Sequence, residues 1–119
     1  MRETYHLVPV EVWMAADAAA DAGAPYAAVS LATEGFAHCT DGLDALAATF
    51  DRHYATDPRA FLALTLDLEA LDVPWRHDDP GSPYPHIYGS IVLSAIVSIG
   101  RVERDGAGRF AALIADRSR

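Results

Sequence analysis

The chain has 119 residues, 51% hydrophobic and 22% charged, which is enough for one globular domain spanning residues 1–119. Seventeen acidic residues against nine basic ones give a net charge of -8, which argues against a nucleic-acid partner because phosphate contacts need clustered Lys and Arg. A lone cysteine allows no intrachain disulfide, and the sequence has neither a signal-peptide pattern nor a run of eighteen apolar residues. We therefore expect a cytoplasmic protein that does not enter a membrane.

The first elements in chain order are a strand and a helix. Tyr5–Val8 is a short β-prone segment that ends before Pro9. Within Val10–Ala20 the apolar residues recur at the spacing of an amphipathic helix, and Gly23 and Pro25 mark its end.

A second strand and helix follow. A turn at Glu34 and Gly35 is predicted to lead into a short strand, Phe36–Thr40. Thr40 is of the residue type that caps helices, so we expect it to begin a second helix. Apolar residues recur there at helical spacing: Leu43, Leu46, Ala47, Phe50 and Tyr54.

The sequence of the second half of the chain indicates mostly strands. Phe61–Leu68 places alternate leucines on one face, so one side of this strand should be core. The proline-rich segment 78–83 is predicted to be a loop, and residues 84–92 run from it into an apolar strand-like segment. Val97–Arg104 and Arg109–Ala115 flank a glycine turn and predict a closing hairpin. Two main helices among five or six short strands indicate an α+β fold.

The five histidines are the side chains that titrate nearest neutral pH. His53 and His77 stand among charged residues and are interpreted as solvated surface groups. His6, His38 and His86 each lie in a short, mostly apolar segment, where a buried imidazole needs a partner or a cleft.

Side-chain alternation groups these histidines with other polar residues. On a strand, Phe36, His38 and Thr40 share one face, and His86 and Tyr88 share one face of theirs. If these strands are neighbours, one cleft would gather imidazoles, a hydroxyl and a phenol. The competing interpretation is that each histidine is a core residue bonded to a backbone carbonyl.

Other kinds of site are weakly supported by the sequence. No His-x-x-x-His or Cys-x-x-Cys pattern indicates a metal site, and no glycine-rich phosphate loop is present. Cys39 would point away from His38 on a strand, so it is interpreted as a packing residue and not as a nucleophile. Asp78 and Asp79 are interpreted as loop residues that keep the surface soluble.

Three segments resemble a known bacterial family, the domain of unknown function 952. These are Tyr5–Val8 with Trp13 in the first helix, the Gly-Phe-x-His-Cys-Thr motif within Ser30–Thr40, and the Pro-His-x-Tyr-Gly motif within Tyr84–Gly89. The resemblance spans about residues 4–98.

The resemblance implies a fold similar to that of the ADP-ribosyltransferase superfamily, a split antiparallel β-sheet whose cleft binds NAD in active members. The resemblance implies that NAD is a substrate, and it implies no further cofactor. One residue from each of three strands would act: His6 on a ribose, the strand bearing His38 and Thr40 on nicotinamide, and His86 with Tyr88 on the second ribose. Ser30 and Glu34, from the same motif as Thr40, are assigned to ligand binding.

This chain departs from the pattern of active relatives because no glutamate stands at the third strand. Glu34 is the nearest candidate to supply the negative charge that stabilises an oxocarbenium ion. Relatives that transfer ADP-ribose to an RNA 2′-phosphate hold that phosphate with basic residues, and this acidic chain has no cluster of them, which argues against that reaction.

Two hypotheses therefore stand. The first is an enzyme that cleaves or transfers at an N-glycosidic carbon of a nucleotide-derived small molecule. The second is a non-catalytic binding or regulatory domain that kept the cleft. A zinc-dependent hydrolase built on the same histidines is a third reading.

Overall fold

The computed structural model describes residues 1–20 and 23–118, which form strands and helices in an α+β arrangement. The strands in chain order are β1 Glu3–Pro9, β2 Ala37–His38, β3 Phe61–Asp67, β4 Trp75–Arg76, β5 His86–Ile87, β6 Ile96–Arg104 and β7 Phe110–Ser118. The helices are α1 Val10–Ala20, α2 Val29–Glu34 and α3 Leu43–His53, with short 3-10 helices at Leu68–Ala70 and Leu93–Ala95. The strands form two antiparallel sheets, one in the order β1-β3-β6-β7 and one in the order β2-β5-β4.

β3 is an inner strand of the larger sheet, and its leucines form much of the core. Leu62, Leu64 and Leu66 are 6%, 0% and 0% exposed, which confirms the predicted core face. Phe61 and Ala63 on the opposite face are also buried, whereas the sequence predicted only one buried side. The extra cover comes from α3, whose Phe50 ring packs edge-on to Phe61 at 5.5 Å between centroids.

The two sheets are joined where the first strand meets the segment after β2. Tyr5 and Thr40 exchange two backbone hydrogen bonds, with N to O distances of 2.9 and 2.8 Å. This isolated bridge places the β2-β5-β4 sheet beside the N-terminal half of β1. It also brings His38 close to His6, two residues that lie 32 positions apart in the chain.

The short helix α2 was not predicted from the sequence, which indicated only a turn at Glu34 and Gly35. Gly35 adopts a left-handed conformation with φ +87° and donates its N–H to the carbonyls of Ser30 and Leu31, as a glycine that ends a helix does. Six residues are too few to show a helical repeat of apolar positions, so the pattern was missed. No helix in residues 1–20 or 23–118 has the length and apolar character needed to cross a bilayer.

The prediction that Thr40 caps the second helix is wrong. α3 begins after Gly42, whose φ is +86°, and no side chain caps its N-terminus. The backbone of Thr40 is instead held by the bridge to Tyr5, and Thr40 lies two residues before Gly42, which occupies the cap position. The predicted strand Phe36–Thr40 is accordingly shorter, because regular pairing covers only β2.

The closing hairpin is confirmed. β6 and β7 pair antiparallel over most of their length, and the turn between them is closed by hydrogen bonds from Asp105 N to Arg109 O at 2.9 Å and from Gly108 N to Asp105 O at 3.1 Å. Gly108 has φ +80°, and a Cβ added there would lie 2.6 Å from the carbonyl oxygen of Ala55. Gly106 lies in the same turn with open space around it.

This contrast gives a matched pair of variants. Gly108→Ala is expected to lower the free energy of unfolding by about 1–3 kcal/mol, because the new methyl group meets backbone and the residue must stay left-handed. Gly106→Ala is the control, and we expect it to change stability by less than about 0.5 kcal/mol. Urea unfolding of both variants measures the difference. Equal midpoints for the two would contradict the prediction.

Candidate functional site

Four rings lie together on one face of the smaller sheet, and we call them the ring platform: Phe36, His38, His86 and Tyr88. His38 and His86 are direct cross-strand partners on β2 and β5, with ring centroids 5.5 Å apart. The Phe36 ring stacks on His86 at 4.0 Å with 19° between planes and lies 5.6 Å from the Tyr88 ring. The structure therefore brings together the two strands whose alternation suggested a shared face.

His38 forms a side-chain pair with Glu34, the last residue of α2. Nε2 of His38 lies 2.9 Å from Oε2 of Glu34, and the two side chains are 55% and 49% exposed. Gly35 ends the helix between them and turns the chain into β2, so that the carboxylate faces the imidazole four residues later. A carboxylate held in this way can orient the ring and stabilise positive charge beside it.

Two cavities meet at this pair. The first cavity has a volume of about 400 Å³, and its lining includes His6, Tyr26, Ser30, Arg59 and Phe61. The second cavity has a volume of about 430 Å³, and its lining includes Arg52, His53, Tyr84 and His86. Both are lined by Glu34, His38, Thr40, Thr49 and Tyr54.

The predicted site residues occupy different places around these cavities. Ser30 lines the first cavity, and its hydroxyl donates to the carbonyl of Phe36 at 2.7 Å, which ties α2 to β2. Thr40 is 5% exposed and lines both cavities. Tyr88 lines neither cavity, and its hydroxyl donates to Asp78.

His6 lines the first cavity but uses both ring nitrogens inside the protein. It is 6% exposed, with Nδ1 2.7 Å from the carbonyl of His38 and Nε2 2.8 Å from the hydroxyl of Tyr26. Burial lowers the pKa of His6 and raises the pKa of Tyr26, so the ring is neutral and the phenol keeps its proton. Nδ1 therefore donates to the carbonyl, and Nε2 accepts from Tyr26.

The lowered pKa of His6 predicts a pH effect on stability. Below its ordinary value of 6.5 the unfolded chain binds a proton at His6 that the folded chain does not, so stability falls as the pH falls. The stability advantage of wild type over His6→Gln is expected to shrink by up to about 1.4 kcal/mol per pH unit below pH 6.5.

Urea unfolding between pH 5 and 7.5 measures this effect. Met14→Ala replaces an exposed side chain that does not titrate and is the control, whose difference from wild type should stay flat over that range. A constant difference between wild type and His6→Gln would contradict the prediction.

Asp78 is a candidate site residue that the sequence did not indicate. Its Oδ1 accepts from Nε of Arg76 at 2.7 Å, and its Oδ2 accepts from Nδ1 of His86 at 2.7 Å and from the hydroxyl of Tyr88. These donors, Tyr88 first, hold the pKa of the Asp78 carboxyl far below its usual range. The loop composition around Asp78 indicated a solvated surface, and only the fold reveals that β4, β5 and the residue after β5 bring three donors to it.

The interpretation of His77 as a solvated surface residue is also wrong. Its side chain is 20% exposed, and Nε2 lies 2.9 Å from Oδ2 of Asp41. These partners are 36 residues apart in sequence, so no local pattern could have paired them. His53 is exposed, as predicted.

Cys39 is a packing residue, as predicted. It is 3% exposed within the hydrophobic core, and burial raises the pKa of its thiol well above the usual range. A thiol in this setting is a poor nucleophile because it stays protonated. Within residues 1–20 and 23–118, no cluster of three or more His, Cys, Asp or Glu side chains is arranged to hold a metal ion.

One arginine lines each cavity. In the first, Arg59 bonds Asp57 at 2.8 Å, and hydrogen bonds from Arg59 lower the pKa of Asp57 to about 2. In the second, the Arg52 guanidinium donates a hydrogen bond to the phenol oxygen of Tyr84, and this bond lowers the pKa of Tyr84. Each cavity of this acidic chain thus has one guanidinium on its wall, and that of Arg59 is already paired with the Asp57 carboxylate through Nε and Nη2.

Comparison with known proteins identifies relatives in sequence and fold. The family model described as "Protein of unknown function (DUF952)" matches residues 8–99. The crystal structure of protein CC0527 from Caulobacter crescentus aligns with a TM-score of 0.67 and 22% sequence identity, covering 92% of this chain and 93% of that one. The solution NMR structure of CC0527 aligns with a TM-score of 0.69 and 22% identity, covering 92% and 91%. The search of curated proteins gives no match.

Proposed function

The chain belongs to the DUF952 family of unknown function, and we propose that its cleft binds a nucleotide-derived small molecule, NAD or a product of NAD, and acts at the N-glycosidic bond. In this proposal the cleft is of the ADP-ribosyltransferase type. The observation that carries the proposal is the Glu34–His38 pair at 2.9 Å, which lies where the two cavities meet.

The charge of Glu34 suits the chemistry of glycosidic cleavage. As the bond between the ribose carbon and the nicotinamide nitrogen breaks, positive charge develops on the sugar, and a fixed carboxylate stabilises that charge. His38 holds Oε2 of Glu34, and since no described residue is hydrogen-bonded to Oε1, that oxygen can face the sugar. Glu34 thereby takes the part of the glutamate that is missing from the third strand.

The size and polarity of the two cavities support a ligand larger than a single ring. Their volumes of about 400 and 430 Å³ each fall within the range of small-molecule sites. Arg52 in the second cavity, and Nη1 of Arg59 in the first, whose Nε and Nη2 are held by Asp57, can donate to phosphate oxygens. The net charge of -8 disfavours a longer polyanion.

The remaining predicted residues have secondary parts in this proposal. Thr40 and Ser30 offer hydroxyls to ribose or amide groups from the wall of the first cavity. His38 offers its ring face to a base. His6 holds Tyr26 and the β2 backbone in place, and a direct bond from His6 to ribose would require one of its two present bonds to open.

Calorimetry and product analysis test the proposal. Titration with NAD, ADP-ribose and nicotinamide is expected to give saturable heat for at least one of them, with a dissociation constant below about 1 mM. Chromatography of a mixture with NAD is expected to show released nicotinamide. Absence of heat at millimolar concentrations of all three compounds would overturn the proposal.

A second candidate function is non-catalytic binding of the same class of ligand. It is favoured by the state of His6, because one of the three predicted catalytic imidazoles has no ring nitrogen free for a substrate. This alternative predicts saturable heat with ADP-ribose or NAD and no release of nicotinamide above the uncatalysed rate.

A further inference from the structure

We propose that His86, positioned by Asp78, is the general base that takes a proton from the attacking water, so that the second cavity is the acceptor side of the reaction. This inference rests on the proposed function and deepens it. It assigns water as the acceptor and hydrolysis as the reaction. The geometry around the two side chains carries it.

Asp78 is held as an anion in one orientation. Arg76 occupies Oδ1, while His86 and Tyr88 both donate to Oδ2. The Arg76 guanidinium also lies over the Tyr88 ring, with its central carbon 4.2 Å from the ring centroid. A carboxylate with these partners has little freedom to rotate, and it accepts from the ring nitrogen of His86 at 2.7 Å.

His86 is thereby set up to use its other nitrogen. A carboxylate only accepts, so Nδ1 of the neutral ring carries the proton and Nε2 keeps a free lone pair. Among the described residues, none is hydrogen-bonded to Nε2 of His86. The stack on Phe36 at 4.0 Å fixes the ring plane, and the ring lines the second cavity beside His38.

In this proposal the first cavity binds the ribosyl group and the second cavity holds the attacking water. Glu34 lines both, whereas His86 lines only the second and Arg59 only the first. A ribosyl group bound from the first cavity at Glu34 would present its anomeric carbon to a water molecule in the second. The base and the charge-stabilising carboxylate then act from different sides.

The proposed step balances in atoms and charge. Nε2 of His86 takes a proton from water as the water oxygen bonds to the anomeric carbon. The bond from that carbon to the pyridinium nitrogen breaks, and its electron pair stays on the nitrogen, so nicotinamide leaves neutral. ADP-ribose is the other product, and the proton on His86 passes to solvent.

A second histidine–aspartate pair in the same chain provides the control. His77 and Asp41 lie 2.9 Å apart, and His77 has the same 20% side-chain exposure as His86. His77 lines neither cavity. If a histidine–carboxylate pair matters only for stability, substitutions of His77 and His86 should have similar effects.

Nicotinamide release from NAD is measured for His86→Ala, Asp78→Asn and the control His77→Gln, each checked for native chemical-shift dispersion by NMR. His86→Ala is expected to hydrolyse NAD about 10²-fold more slowly than wild type. Sodium azide, an anionic nucleophile that needs no base, is expected to restore release and to form an ADP-ribosyl azide detectable by mass. Asp78→Asn is expected to lower kcat about 10-fold with little change in KM, and His77→Gln to stay within about 2-fold.

A measurement without turnover tests the positioning itself. Long-range nitrogen–proton NMR spectra are expected to show His86 as the Nδ1–H tautomer in wild type and as a mixture in Asp78→Asn. An Nε2–H tautomer in wild type would overturn the inference whatever the activity.

The kinetic outcomes separate the two proposals. If wild type releases no nicotinamide, the proposed function fails and this inference fails with it. If wild type hydrolyses NAD but His86→Ala matches His77→Gln, or azide neither accelerates release nor yields the azide product, only the inference fails. A folded His86→Ala protein with slow hydrolysis and azide rescue supports both.

Discussion

Glu34→Gln is expected to release nicotinamide from NAD 10²–10³-fold more slowly than wild type, a loss of about 3–4 kcal/mol of transition-state stabilisation. The amide oxygen can still accept from Nε2 of His38, so the shape of the junction between the cavities is preserved. What disappears is the full negative charge that opposes the charge developing on the sugar.

Binding and rate together decide whether this prediction holds. The dissociation constant for ADP-ribose should stay within about 3-fold of wild type, because the loss is confined to the transition state. Glu103→Gln removes an exposed glutamate on β6, away from both cavities, and should leave the rate unchanged. Unaltered turnover in Glu34→Gln would contradict the role of the carboxylate.

Ile87→Ala is expected to lower the free energy of unfolding by about 2–5 kcal/mol, which is the usual cost of emptying a fully buried aliphatic site. Ile87 is 0% exposed and lies on the middle strand of the smaller sheet, opposite Ala37 on one side and Trp75 on the other. Its side chain is part of the core beneath the ring platform.

Urea unfolding of Ile87→Ala measures the loss. Met14→Ala is the control, because Met14 is 64% exposed on α1 and alanine is a good helix former, so little change is expected. Since Ile87 anchors the strand that carries His86, we also expect weaker dispersion of the His38 and His86 ring signals in NMR spectra. A stability within about 0.5 kcal/mol of wild type would contradict the assignment of Ile87 to the core.

The regular elements of this chain could be predicted because their sequence patterns repeat. Alternate leucines of β3 and the helical spacing of α3 each extend over several residues, so the signal accumulates. The hairpin of β6 and β7 has its own turn residues between two apolar segments. Membership of the DUF952 family was likewise predicted from motifs and is confirmed by the match over residues 8–99.

Short elements could not be predicted in the same way. β4 has two residues and α2 has six, which is less than the length over which a period becomes visible. Their existence depends on neighbours: β4 is held by β5, and α2 is tied to β2 through Ser30 and the carbonyl of Phe36. Such contacts are formed between segments far apart in the chain.

Part of the candidate site could be predicted from the sequence, and part of it could not. Alternation along two strands predicted that His38 would share a face with Phe36 and that His86 would share one with Tyr88, and the pairing of β2 with β5 joins these faces. Periodicity along one strand is a local property of the backbone, so the sequence carries it.

The partners of these rings were decided by tertiary structure. The sequence by itself determined an acidic α+β chain with three histidines in apolar segments, because the composition and the spacing of apolar residues can be read directly from the sequence. Only the fold decided that His6 would be bonded to Tyr26 and that His86 would be bonded to Asp78. Asp78 comes from a loop whose composition indicates a solvent-exposed side chain. Its hydrogen bond to His86 could not be predicted, because a hydrogen bond depends on distance in space and not on separation along the chain.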